Sequence, residues 1–212
     1  DTEKALIQGI HNGSYNDLKY RVSAQFSQQE GLSAEALNFT EDDWYHSRVS
    51  FAGQWQDDNN QLDINADIAK IAASTAWPRV SPSVPGYTLL APKEHKDIFS
   101  LQARWMRRLN DKNRLELTAS ADSSDRESDV YHWKTENSAV DISWLQEREH
   151  SQLHLGLNYR WTLSRMNPAP TVGLTLSPEQ DTIEITSAYG QYQHDITDHL
   201  QLTLGARAEE HS

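Results

Sequence analysis

The reading turns on residues 143–161, SWLQEREHSQLHLGLNYRW. From Leu153 every second residue is apolar or aromatic: Leu153, Leu155, Leu157, Tyr159 and Trp161. His154, Gly156, Asn158 and Arg160 fill the places between. A period of two puts the first set on one face of a β-strand and the second set on the other. The apolar face has to cover either a protein core or lipid, and the rest of the chain decides which.

The same alternation runs through the sequence. Leu18 to Phe26, Val49 to Trp55, Leu62 to Ile68, Phe99 to Trp105, Leu115 to Ala121, Val140 to Trp144 and Leu202 to Ala208 all keep it. Residues 4–11 fit either phase, and residues 182–194 change phase near Ser187 to Tyr189, as a β-bulge would make them do. The pattern predicts an all-β chain, an antiparallel up-and-down meander of about ten strands.

Connections alternate in length. Short turns are expected at 12–17, 56–61, 110–113, 146–152 and 195–199, and long loops at 28–43, 71–97, 122–138 and 162–181. Loop length that follows strand parity gathers the short turns at one end of a sheet, as in transmembrane β-barrels. A soluble β-sandwich has Greek-key connections and no such rule. Trp55, Trp105 and Trp144 stand close to short turns on the apolar phase, and Tyr159 and Trp161 stand at the far end of theirs. Aromatic rings gather at both interfaces of a bilayer. These five residues, with Leu153, Leu155 and Leu157, are expected to face lipid.

The opposite phase is polar. Asp63, Asn65 and Asp67 form a row, Lys19 and Arg21 another, and Thr203, Arg207 and Glu209 a third. Charges at that density need a wet surface. With His154, Asn158 and Arg160 they are expected to line a lumen. Asp63-x-Asn65-x-Asp67 lacks the glycine and the closing glutamate of a calcium loop, with Ile68 and Ser74 at those places.

Composition narrows the function. The 212 residues carry a net charge of -12, which argues against nucleic acid as a partner. There is no cysteine, so no disulfide and no thiolate site. The nine histidines show no metal-binding spacing, and no nucleophile, P-loop or dinucleotide motif is present. No catalytic residue, metal or cofactor is expected. Mean hydropathy is -0.76, which a membrane barrel tolerates because its strands show lipid only alternate residues.

Ser187 to Glu210, SAYGQYQHDITDHLQLTLGARAEE, resembles the barrel of TonB-dependent outer-membrane receptors. Gln193, Asp195 and Ile196 approximate the end of one strand in that family, and Leu202, Leu204, Gly205 and Arg207 match the strand after the turn. The resemblance implies a 22-stranded barrel closed by a plug, a place in the bacterial outer membrane, and uptake of a scarce siderophore-like or other nutrient through a TonB-type coupling protein. On this reading residues 1–212 are one partial barrel domain, a fragment that begins after the plug. Its two ends, residues 4–11 and 200–209, are then expected to stay unpaired. The alternatives are a complete ten-stranded barrel enzyme and a soluble glycan-binding sandwich.

Ligand contacts are expected in the long loops. Residues 71–97 hold Pro78, Pro82, Pro85 and Pro92, which stiffen a loop and lower the cost of ordering it on binding. Trp77, Arg79 and Tyr87 offer stacking and charge pairing to an anionic or aromatic ligand. Tyr131, His132 and Trp133 are the equivalent set in the next loop.

Overall fold

The computed structural model describes residues 2–30, 44–74, 77–80, 87–90, 93–128, 131–168, 177–197 and 199–212. Ten antiparallel strands form one sheet in chain order. They are β1 (Thr2–Tyr15), β2 (Leu18–Glu30), β3 (Trp44–Gln56), β4 (Asn60–Ser74), β7 (Lys93–Asn110), β8 (Asn113–Ser128), β9 (Tyr131–Arg148), β10 (Ser151–Pro168), β11 (Gln180–Thr197) and β12 (Leu200–His211). Two short strands, β5 (Trp77–Val80) and β6 (Tyr87–Leu90), pair as a separate hairpin between β4 and β7. The expected all-β up-and-down meander is the fold found.

The register shows how the two phases combine. One row of cross-strand partners runs Tyr15, Leu18, Trp55, Leu62, Trp105, Leu117, Ile142, Leu157, Ala188, Ala208. It crosses all ten strands and every member is apolar or aromatic. The row one residue along runs Ser14, Lys19, Gln54, Asp63, Arg104, Thr118, Asp141, Asn158, Ser187, Glu209. Every member of that row is polar. A one-residue slip at any strand would exchange the two faces, so the alternation read from the sequence fixes the register of the whole sheet.

Among the described residues nothing is packed against the apolar face. The ten strands form a single layer, and only Ala69, Ala72, Tyr131 and Leu163 are buried among the apolar side chains of the described residues. Val49, Ile68, Leu157 and Leu204 are 53%, 55%, 61% and 57% exposed. A soluble sheet of this size buries such a face. The sandwich reading needs a second large sheet, and the two-stranded β5–β6 hairpin is the only other sheet among the described residues. The complete small barrel needs β1 to pair with β12, but these strands lie at opposite ends of the sheet order.

Three details differ from the sequence expectation. The loop expected at 122–138 is mostly strand: β8 continues to Ser128 and β9 begins at Tyr131. Strands likewise run into the other long loops, β4 to Ser74 and β10 to Pro168. The bulge expected at Ser187 to Tyr189 is absent, because the β10–β11 register is continuous from His194 to Gln180. Ile183 and Ile185 share the polar-face phase with Tyr189, so the apolar residues change faces while the backbone keeps its register. A register shift occurs instead between Asp195 and Thr197, beside the turn. In β1 the register puts Ile7 opposite Phe26 and Gly9 opposite Ala24, on the apolar face, with Leu6 and Ile10 on the other.

Neighbouring short turns are tied to one another. The Arg108 amide donates to the Asn59 carbonyl at 2.7 Å, Glu147 to Lys112 at 2.7 Å, and Asp195 to His150 at 2.8 Å. The β1–β2 turn is closed by Asn16 at φ 50°, a left-handed conformation that asparagine tolerates better than most residues.

Candidate functional site

The polar face carries a chain of paired groups. Asp67 accepts from Arg48 Nε at 2.9 Å and from the Ser50 hydroxyl opposite it. Asp63 accepts from Gln61 Nε2 at 2.8 Å. Arg104 and Glu116, diagonal neighbours on β7 and β8, form a two-pronged pair at 2.6 and 2.8 Å, a geometry that suits the planar guanidinium. Farther along, the Tyr189 ring lies across Gly156 and its hydroxyl donates to Asp141 at 3.2 Å, two strands away. A methyl group at Gly156 would overlap that ring, so glycine is what permits the crossing. His154 meets the same ring edge-on at 5.4 Å. Asn158 Nδ2 reaches Asp141 at 3.5 Å.

Asp63, Asn65, Asp67, His154, Asn158 and Arg160 thus all belong to the polar phase, as the sequence indicated. Asp63 and Asn65 also line a groove of about 950 Å³ with Lys19, Arg21, Gln102 and Arg104. Leu153, Leu155, Leu157, Tyr159 and Trp161 lie on the apolar phase, as do Trp55, Trp105 and Trp144. Tyr159 and Leu157 are exposed there.

Toward the long-loop end the polar face holds a second cluster. The buried Tyr131 donates its hydroxyl to Glu94 at 2.9 Å. Arg126 pairs with the other oxygen of Glu94 at 3.1 Å and stacks over the Trp133 ring at 5.6 Å. Trp133 Nε1 donates to the Ser164 hydroxyl at 3.1 Å. Four strands, β7 to β10, are joined in this way. Tyr131 and Trp133 therefore sit on a strand wall and not on the loop expected for them. His132 is on the opposite face, 2.7 Å from Asp125, so the expected trio does not converge. Glu94, Arg126 and Ser164 went unmarked in the sequence, because no hydrophobic rhythm sets them apart there.

Trp77, Arg79 and Tyr87 fall in the β5–β6 hairpin, in backbone register with Leu90, Thr88 and Val80. Their side chains lie outside the described residues. No cluster of histidine, aspartate and glutamate able to hold a metal occurs among the described residues.

No family model matches the chain, and no curated protein sequence matches it. Solved structures do. The siderophore receptor PirA from Pseudomonas aeruginosa shares the fold with a TM-score of 0.67 at 14% identity, over 98% of this chain and 34% of that one. FpvA from P. aeruginosa, in a structure with a heterologous pyoverdine and iron, gives 0.68 at 10% identity, over 97% of this chain and 35% of that one. The chain thus spans about a third of the length of either receptor. At such low identity the likeness concerns the fold alone, and the fold expected from the resemblance is the one observed: ten antiparallel strands in one open sheet, matching part of the β-barrel of those receptors.

Proposed function

We propose that this chain is part of an outer-membrane receptor that captures a scarce ligand, siderophore-like or another nutrient, and passes it inward. The apolar face would lie in lipid, and the polar face would line the lumen. The observation that carries this reading is the pair of adjacent rows, one apolar and one polar, each unbroken over ten strands. An uncovered apolar face across a whole sheet is stable only against lipid or another apolar surface, and a charged opposite face requires water or polar contacts. Energy for transport would come from a TonB-type protein acting through a plug, as the family resemblance implies.

Refolding the chain in plain buffer and with lipid vesicles tests the membrane part. Folding with lipid and aggregation without it are expected, together with quenching of tryptophan fluorescence by bromine-labelled lipids. A monodisperse folded monomer in plain buffer would sink the proposal. For the ligand part, changing Trp77 and Arg79 together to alanine in the intact receptor is expected to weaken capture at limiting ligand while leaving barrel assembly unchanged.

A further inference from the structure

Resting on the membrane part of that reading, we infer that Arg148, Ser151 and His194 form a docking site for an anionic phospholipid of the leaflet at the short-turn end. The three residues stand in one cross-strand row, Arg148 opposite Ser151 and Ser151 opposite His194. All lie on the apolar phase, which Arg148 shares with Trp144, Ser151 with Leu153 and His194 with Tyr192. Neighbours in such a row stand about 5 Å apart, so one phosphate group lies within reach of all three side chains. The backbone beneath them is braced, because the Asp195 amide donates to the His150 carbonyl at 2.8 Å.

Charge and bonding capacity set the class of ligand. At the long-loop end the apolar phase carries both signs, Lys70 and Lys134 beside Asp97 and Asp125. At the short-turn end the described strand residues of that phase include Arg107 and Arg148 and no carboxylate. Arg107 acts on Asp57 in the adjoining turn. Arg148 forms an ion pair neither with Glu147, on the polar phase, nor with Glu149, in the turn. Its planar guanidinium suits two phosphate oxygens at once. The His194 ring lies parallel to Tyr192 with centroids 6.2 Å apart, and its enclosed Nδ1 has no hydrogen-bond partner. Enclosed polar atoms are generally bonded, so this imidazole keeps its bonding capacity for a group from outside the chain. On the band side the row borders Leu153 and the half-exposed Tyr192. Phosphate, glycerol esters and acyl chains thus meet cation, phenol hydroxyl and leucine in that order, a sequence of surfaces that a free phosphate ion does not need.

The test uses the whole chain refolded into vesicles that mix phosphatidylcholine with phosphatidylglycerol, one or the other carrying bromine on its acyl chains. Trp144 lies on the same face as Arg148, roughly 13 Å deeper along the strand, where the chains of a lipid held at Arg148 pass. The quenching that disappears in Trp144→Phe reports that place. Labelled phosphatidylglycerol is expected to occupy it about fivefold over labelled phosphatidylcholine. Arg148→Gln is expected to bring that ratio to about one, and Lys112→Gln, which removes the same charge from a neighbouring turn, to leave it unchanged. Should Arg148→Gln fail to insert, His194→Gln carries the comparison and is expected to lower the ratio. Equal responses to Arg148→Gln and Lys112→Gln, or no response to the variant of the row, overturn the inference. Loss of the preference to inorganic phosphate at matched ionic strength also overturns it and assigns the row to a free anion. Insertion is read first, as protection from protease. Loss of insertion in the parent chain counts against the membrane reading, while insertion with equal occupancy by the two lipids counts against this row alone.

Discussion

Strand β10 lives under two regimes. From Leu153 to Trp161 its faces differ completely, leucines and aromatics on one side and His154, Asn158 and Arg160 on the other. Beyond Leu163 the same strand shows Ser164, Arg165 and Asn167, and polarity no longer tells the faces apart. Its neighbours behave alike. A cross-strand row on the phase of the apolar face reads Lys70, Asp97, Asp125, Lys134, Arg165, Gln180. Its members pair among themselves and nearby, Lys70 with Asp97 at 3.2 Å and Lys134 with Glu136 at 2.7 Å. The hydrogen-bond ladder crosses from one regime to the other without a break. Four strands are 18 residues long, while about 9 to 11 tilted residues cross a bilayer. The excess projects past the apolar band toward the long loops, where both faces carry polar and charged side chains. Alternation in sequence reports the apolar band; it does not report where the strand ends.

The sharpest way to break this comparison is to put the same charge in each regime. Leu157→Arg, at the middle of the band, is expected to cost about 2–4 kcal/mol on refolding into vesicles. Asn167→Arg, on the same phase of the same strand but beyond the band, is expected to change stability by less than about 0.5 kcal/mol. Equal costs at both sites would mean that the apolar face meets a uniform surface and not a bilayer.

The two regimes also explain what the sequence disclosed. Strand number, direction and the apolar and polar phases were legible because a sheet with one apolar and one polar face requires a strict choice at every second residue, as at Leu62, Ile64, Ala66 and Ile68. Residues 122–138 read as a loop because Asp122, Asp125, Arg126 and Glu127 carry no period, although the backbone pairs through Glu94↔Ser128 and Glu127↔His132. The cluster of Glu94, Arg126 and Trp133 was illegible for the same reason: its members come from three strands and are brought together only by register. The phase change in β11 misled differently. Ile183 and Ile185 are apolar residues on the polar phase at the margin of the band, opposite Thr162 and Arg160.

Inside the band, side-chain fit decides stability. Gly156→Ala would place a methyl group in the Tyr189 ring, and overpacking of this kind costs about 1–3 kcal/mol. The ring must swing away, giving up its contact with Asp141. The double change Gly156→Ala with Tyr189→Ala is expected to cost less than the sum of the single changes. Strict additivity in chemical unfolding from detergent would show that the ring does not rest on the glycine.

Beyond the band, ties are part-exposed and weaker. Arg126 and Glu94 are 32% and 20% exposed at their side chains, so Arg126→Ala is expected to cost up to about 1 kcal/mol. The change also removes the cation above Trp133, and the indole emission is expected to shift. An unchanged spectrum would separate the guanidinium from the ring.

The smallest effect lies at the other margin, in two short turns that differ in one group. Asp57 Oδ1 accepts the backbone amides of Asn59 at 2.8 Å and Asn60 at 2.6 Å. Asn110 Oδ1 does similar work with a neutral amide, taking the Lys112 amide at 3.0 Å and Asn113 Nδ2 at 2.8 Å. The Asn59 amide, then the Asn60 side chain and amide, hold the Asp57 carboxyl below its ordinary value of 3.8. A lowered folded value gives a sign: the contribution is present above 3.8 and is lost as pH falls through the folded value. Protonation removes an acceptor from the turn whose Asn59 carbonyl receives the Arg108 amide of the next turn. Hydrogen-exchange protection at Asn59 and Asn60, relative to intrinsic rates, is therefore expected to fall from about pH 6 to about pH 3, while Lys112 stays level. Asp57→Asn is expected to make the first turn behave like the second. A parallel fall at Lys112, or a fall that survives Asp57→Asn, would place the pH response elsewhere in the sheet.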